Sequence, residues 1–298
     1  MKSLFLFLLL VAETAYADPA KILLTFDDGP FRKNTMLVLD ALAKRDAKAV
    51  FFILTTPETL FRNMPWKMVF PKAETEEGLQ TLVDEAVQGH MLACHWGGTY
   101  IAQSRFHANR VTEPAYDATG DGLIDKVSVQ GNALESDLIQ CLQRLNQGLT
   151  IAQDLSSVAE VQKPGDIHYI RPPIWKYKNR RGDARPVYAS LGMQMVLTDF
   201  KLSDGGLRFQ GFPSSGRMAK ETAKAIINGQ DVVVLTLHDS NSRTANNIEK
   251  TLARLERTLQ QSGLRRGIDW DYPRNLTEID QALQSFVVRQ NKKLETSR

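Results

Sequence analysis

Apolar and polar positions follow two rhythms along the chain. Short unbroken apolar runs recur and stop at polar or Gly/Pro punctuation: Ile22 to Phe26, Ala49 to Leu54, Met91 to Cys94, Tyr169-Ile170, Met195 to Thr198 and Asp231 to Leu237. Runs of that length predict buried strands. Between them the period lengthens. Asn34 to Arg45 places Met36, Leu37, Leu39, Leu42 and Ala43 at helical spacing, with Asn34 or Thr35 as the cap. Glu76 to Gln88 predicts a helix stopped by Gly89, and Asn132 to Gln147 one closed by Gly148. Arg243 to Ser262 is a strongly periodic amphipathic helix ended by Gly263. Repeated strand–helix units predict an α/β fold, a mostly parallel sheet with helices outside it. Roughly six or seven such units favour a closed or nearly closed barrel. No internal repeat or Gly/Ser linker divides the chain, so residues 18–298 are expected to form one domain. Long loops near 56–75 and 100–130 are expected to roof its site.

The N-terminus follows another pattern. Lys2 precedes the apolar run Leu4 to Val11, and Ala15-Tyr16-Ala17 has the small-x-small form of a cleavage site. This order predicts a signal peptide over residues 1–17, Asp18 as the first mature residue, and an exported protein, periplasmic or secreted. No later stretch approaches about 18 apolar residues, so no membrane span is expected in the mature protein. Composition adds little: 43% hydrophobic residues suit a large core. A formal charge of +3 on 298 residues points to no nucleic-acid partner and leaves approach to an anionic wall unhindered. The two cysteines, Cys94 and Cys141, allow one disulfide, and their apolar contexts suit buried thiols equally well.

Barrels of this class carry their sites at the C-terminal ends of the strands. Polar residues follow directly on several runs: Asp27 and Asp28 on the first, His95 on the third, Arg171 on Tyr169-Ile170, and His238-Asp239 on the run ending at Leu237. A single such residue is ordinarily a strand-end group satisfied by a helix N-terminus. Four in phase at one rim indicate a site.

The motif Thr25-Phe26-Asp27-Asp28-Gly29-Pro30, with Gly89 to His95, Arg171-Pro172-Pro173 and Leu237-His238-Asp239, resembles the polysaccharide deacetylases. Order and spacing fit from about residue 21 to about residue 262. The resemblance implies a distorted (β/α) barrel of about seven parallel strands with outer helices. It also implies metal-dependent removal of N-acetyl groups from a GlcNAc-containing glycan. A divalent cation, zinc first, activates water and polarises the amide carbonyl. By the same resemblance Asp28 and His95 are metal ligands, Asp27 is the general base, Arg171 holds the Asp27 carboxylate, and His238 protonates the leaving amine. Gly29-Pro30 is expected to supply the turn that lets adjacent aspartates take different roles. Backbone N–H near Ile174, beside Pro173, would face the oxyanion, and Trp175 would stack on sugar.

Two positions depart from the family pattern. Thr99 stands where a second metal histidine is expected; its replacements are His107 folded back by Gly97-Gly98, extra water, or the Thr99 hydroxyl. In the fourth motif Asp204 matches the aspartate that orients the catalytic histidine, Gly205 replaces a tryptophan, and Asp199 competes for the same role. Separately, Asp117 to Asp125 resembles the front of a calcium loop, with Ser128 where a bidentate Glu is expected. Three functions are therefore carried: an N-deacetylase acting on a wall or surface glycan, peptidoglycan first; a catalytically impaired relative that binds cell-wall glycan; and a hydrolase of another amide.

Overall fold

The computed structural model describes residues 18–55, 73, 75–97, 115–116, 125–126, 132–156, 160–172, 178–179, 182–201 and 214–296. The expected signal peptide and the front of the calcium-loop motif lie outside the described residues. In chain order the elements are β1 (Ala20–Gly29), α1 (Arg32–Ala43), β2 (Val50–Thr55), α2 (Glu76–Val87) and β3 (Met91–Gly97). A small pair, β4 (Ala115–Tyr116) and β5 (Asp125–Lys126), precedes α3 (Asn132–Leu155) and β6 (Tyr169–Ile170). A second pair, β7 (Lys178–Asn179) and β8 (Gly182–Asp183), leads to α4 (Arg185–Ser190), β9 (Gln194–Met195), β10 (Phe200–Lys201) and α5 (Ser215–Ile227). The chain continues through β11 (Val232–His238), α6 (Ser242–Gln261), β12 (Trp270–Asp271) and α7 (Leu276–Thr296).

Seven strands form one sheet in the order β10-β11-β1-β2-β3-β6-β9, every pair parallel, with β12 beside the start of β1. This half-barrel with surrounding helices is the distorted α/β barrel that the sequence predicts. Period-2 alternation sorts its side chains. Ile22, Leu24, Phe26, Phe51, Leu92, Cys94, Val233 and Leu235 join α1, α2, α3, α5 and α6 in the larger core. Leu23, Val50, Phe52, Met91, Ala93, Tyr169, Val232 and Val234 face the other way and pack on α7 through Leu276, Ile279, Leu283, Phe286 and Val287. The inner face is thus apolar and covered by α7 toward the N-terminal ends of the strands. Continuing the alternation along β1 and β11 places Thr25, Asp27, Thr236 and His238 on that inner face at the opposite end.

Several elements differ from expectation. α3 runs through Gly148 to Leu155 instead of stopping there. A Cβ at Gly148 would lie 3.2 Å from Leu82 Cβ, so this glycine serves the close packing of α3 on α2 and is no cap. α1 begins at Arg32 with no side-chain cap from Asn34 or Thr35. The Thr35 hydroxyl instead accepts from the Phe31 N–H and donates to Asp239. The Thr75 cap of α2 and the positive φ of Gly89 and Gly263 agree with the helix ends read from sequence. α5, α7, β10 and β12 lie beyond the elements that the apolar runs picked out.

Cys94 of β3 and Cys141 of α3 are bonded to each other and fully buried, which decides between the bridge and the free thiols. The bond ties the strand bearing His95 to the outer helix layer across 47 residues of sequence. Replacing both cysteines by serine should cost about 2–4 kcal/mol of stability, from loop-closure entropy in the unfolded chain. Urea unfolding with and without reductant checks this, and reductant should lower the midpoint of the parent protein alone. A reductant-insensitive midpoint in the parent would remove the bridge from the account.

Candidate functional site

Two strands on either side of β2 each carry one extra residue at the same level of the sheet. Between β1 and β2 the register runs Asp27 with Phe52, then Gly29 with Ile53, so Asp28 is the unpaired residue of a bulge. Between β2 and β3 it runs Ile53 with Cys94, then Leu54 with Trp96, so His95 is the extra residue there. Asp28 takes φ of 69°, a left-handed conformation that a short polar side chain tolerates. The turn that separates the roles of Asp27 and Asp28 is therefore made by Asp28 itself, one residue before the expected Gly29-Pro30. Strict alternation would send Asp28 to the outer face. The bulge brings its Oδ1 to 3.3 Å from His95 Nε2.

Arg171 is the hub. It is fully buried, and its Nη1 donates to Asp27 Oδ1 at 2.7 Å and to Thr25 Oγ1 at 2.6 Å. Its Nη2 donates to Leu197 O at 2.9 Å and its Nε to Val196 O at 3.3 Å, while the guanidinium stacks 4.0 Å from the Phe52 ring centre. Burial holds the Arg171 pKa below its usual range, and the Asp27 carboxylate opposes that shift. Thr25 relays the grip, since its hydroxyl accepts from Arg171 and donates to Leu235 O at 2.9 Å. Asp27 lies level with His238 on the neighbouring strand, so both reach the same cleft.

His95 Nδ1 lies 2.8 Å from the Arg171 backbone oxygen. A carbonyl only accepts, so the Nδ1–H donates, and Nε2, the ring atom left for a metal, faces Asp28. With the ring neutral, an imidazole lone pair and a carboxylate facing one another fit a shared cation. A nitrogen and an oxygen each about 2.0–2.1 Å from a tetrahedral metal lie about 3.3 Å apart, the separation found here. Asp28 and His95 thus fit two ligand positions. Among the described residues no third His, Cys, Asp or Glu joins them, and Thr99 and His107 lie outside the described residues.

Asp199 is engaged elsewhere. Its Oδ2 accepts from Arg289 Nη2 at 2.7 Å and from the Val234 N–H at 3.0 Å. Val234 precedes His238 by four positions on β11, about 13 Å at strand rise. Asp199 therefore sits too far down the strand to orient His238. Asp204 lies outside the described residues, as do Pro173, Ile174 and Trp175.

Four residues near the site were given no site role of their own by sequence, although Thr25 and Asp239 lie in its motifs and Thr35 was read as a cap. Thr25 shares a strand face with Asp27, and that two-residue spacing was the available signal. Lys201 ends β10, and its amine is lowered to about 8, first by burial and then by the charge of Arg171, with Asp27 opposing. Thr35 and Asp239 form a buried pair, Oγ1 to Oδ2 at 2.5 Å. Burial pushes Asp239 up to about 7; the Thr35 hydrogen bond opposes this and the charge of Asp28 adds to it. A Cβ on Gly29 would stand 2.5 Å from Asp239 Oδ2, so only glycine allows this carboxyl to pack behind the bulge.

Residues 15–95 match the family described as Polysaccharide deacetylase, a span that contains Asp27, Asp28 and His95. The resemblance carried by the motifs is thereby borne out. No curated protein matches the chain. Among solved structures, the chitin deacetylase from the fungal pathogen Colletotrichum lindemuthianum is similar at 17% identity and a TM-score of 0.51, covering 84% of this chain and 85% of that one. A family 4 carbohydrate esterase from Streptomyces lividans follows at 18% identity and a TM-score of 0.48, covering 83% and 92%. The catalytic domain of a peptidoglycan N-acetylglucosamine deacetylase from Eubacterium rectale gives 19% and 0.48, covering 87% and 92%. The first of these likenesses shows a shared fold.

The raised carboxyl of Asp239 makes stability pH-dependent. Between its ordinary 3.8 and about 7 the unfolded chain releases this proton while the folded chain keeps it, so stability falls as pH rises across that window. Asp239→Asn should flatten the slope, gaining more stability at pH 8 than at pH 4. Melting temperatures in chelator across that range check it. An unchanged slope would assign the effect to Glu85, whose buried carboxyl is also pushed up, by burial first and then by Asp239 and Asp84.

Proposed function

We propose that the chain is an exported, metal-dependent hydrolase that removes N-acetyl groups from a GlcNAc-containing polysaccharide, with peptidoglycan as the first substrate to try. Residues 18–298 would form its single catalytic domain after a signal peptide at 1–17. The family match supports the deacetylase class. The observation that carries the reading is Asp27, gripped by buried Arg171 and level with His238 across the β1–β11 ladder. A binding module has no need of a base, an acid and their orienter together. The segment before residue 18 and the absence of any described helix long and apolar enough to cross a membrane are consistent with export to a wall substrate.

Asp28 and His95 would hold the divalent cation, zinc first; when bound, it supplies Lewis acidity toward water and toward the amide carbonyl. Asp27 accepts the proton of the attacking water through the carboxylate that Arg171 and its Thr25 contact keep in one orientation. His238, one strand over, delivers a proton to the nitrogen as the carbon–nitrogen bond breaks, leaving acetate and an amine. Backbone N–H near Ile174 and the ring of Trp175 would add oxyanion and sugar contacts, and Asp204 would orient His238. Calcium at Asp117 to Asp125 would be structural. The substrate is neutral in its reacting part, and nucleic acid has no place in this reading.

A second reading rests on Thr99: with two protein ligands in place of three, the same groove would bind cell-wall glycan without turning it over. Acetate release from N-acetylated peptidoglycan and chitooligosaccharides, with metal content measured on the same sample, separates the two. The hydrolase should release acetate and lose it on chelation. Asp27→Asn should lower kcat by about 10²–10⁴-fold, the worth of a general base, with metal content unchanged. Glycan binding without release under any divalent metal would leave the binder.

A further inference from the structure

The open edge of the half-barrel is closed by a side chain. β9 ends the strand path, and Val196 N donates back to Ile170 O of β6 at 2.8 Å. On the side where a further strand would lie, Leu197 N donates to Gln290 Oε1 at 2.7 Å and Met195 O accepts from Gln290 Nε2 at 2.9 Å. Residues two apart on a strand present an N–H and a C=O to the same side, and a neighbouring strand answers with one acceptor and one donor. The carboxamide of Gln290 offers that pair from α7. It is 7% exposed, so leaving either group unmade would be costly.

Two of the same three residues carry the hub. Val196 O and Leu197 O accept from Arg171, whose Nη1 holds Asp27. The preceding helix residue grips the opposite edge: Arg289 donates to Val232 O at 2.6 Å and to Asp199 at 2.7 Å. Consecutive residues of α7 thus staple both margins of the gap, beneath the cleft.

We propose that Gln290 is a positioning residue for the hydrolytic site, acting through the Met195–Leu197 backbone to fix the Arg171 guanidinium and, through it, the Asp27 carboxylate. This rests on the hydrolase reading of that site. Gln290→Leu removes both hydrogen bonds. Gln290→Glu keeps both only while its carboxyl is protonated, because the ionised form has no donor for Met195 O.

In the metal-loaded full chain, Gln290→Leu should lower kcat about 10- to 100-fold with KM within about two-fold, the signature of a misplaced catalytic group. Gln290→Glu should approach parent kcat near pH 6 and fall relative to the parent as pH rises, since burial raises a carboxyl pKa. Independently of turnover, hydrogen exchange at the Arg171 Nε–H, followed by nitrogen-15 NMR, should speed at least about ten-fold in Gln290→Leu as local opening becomes easier. Parent kcat and parent Arg171 exchange in a folded Gln290→Leu would overturn the proposal. Should that variant fail to fold, a Gln290→Glu profile that tracks the parent at every pH overturns it instead. A parent protein without acetate release would sink the hydrolase reading, and Arg171 exchange alone would then decide the role of Gln290.

Discussion

A guanidinium with no exposed surface sits inside the half-barrel, and most of the site's geometry follows from satisfying it. A buried arginine carries charge and five donors, and a low-dielectric interior leaves none of that optional. Asp27 answers the charge; Thr25, Val196 O and Leu197 O take three more of the donors. Two of those acceptors are backbone carbonyls, and a carbonyl turned to Arg171 is not offered to a neighbouring strand. β9 is only two residues long and gives way at 196–198 to an irregular stretch whose Val196 and Leu197 carbonyls turn to Arg171. The barrel stays open where the arginine draws on the edge. Removing Asp27 outright would strand the charge, a loss on the order of 3–5 kcal/mol for buried pairs.

The second constraint is local. A regular parallel ladder cannot aim adjacent residues at one cleft, because alternate side chains face alternate sides. β1 and β3 each solve this with one inserted residue, Asp28 and His95, on either side of the regular β2. The insertions have consequences behind them. The left-handed Asp28 brings Gly29 against the Asp239 carboxyl, and Asp239 in turn recruits the Thr35 hydroxyl that might have capped α1 from within its own sequence. The Thr35 hydroxyl therefore joins the start of α1, through the Phe31 N–H, to the carboxyl behind the site.

These facts separate what was legible in the sequence from what was not. Apolar runs that end in Asp, His or Arg are visible because buried parallel strands need continuous hydrophobicity and the rim does not. That contrast located Asp27, His95, Arg171 and His238 at strand ends. Bulges leave no such trace, since one extra residue at a strand end looks like the natural end of the run. Gly148 read as a stop because a helix-ending glycine and a packing glycine look alike until Leu82 is opposite it. α5 buries four small residues (Ala219, Thr222, Ala223, Ala225) beside Met218 and Ile226, so few large apolar side chains mark it in the sequence. α7 has a clear stripe, yet nothing in a stripe tells the outer face from the inner. Asp199 followed a strand as a catalytic residue would; only the tertiary position of Arg289 shows that its carboxylate belongs to the closure of the fold.

Charge balance links the fold to the chemistry. Within the described cleft Asp27 is neutralised by Arg171, and His95 is held through Nδ1 by the Arg171 carbonyl. Asp239, pushed up to about 7 chiefly by its burial, keeps its proton below that pH, and the charge of Asp28 adds to the shift. That leaves Asp28 as the principal negative charge facing His95. On the proposed metal-dependent reading, one carboxylate and one imidazole would leave a divalent cation net positive, so that its pull on water and carbonyl oxygen would exceed that of a fully neutralised one. An additional ionised carboxylate at Asp239 would weaken that pull. Below about pH 7, the pairing of Asp27 with Arg171 and the proton on Asp239 therefore leave Asp28 as the aspartate whose charge faces His95.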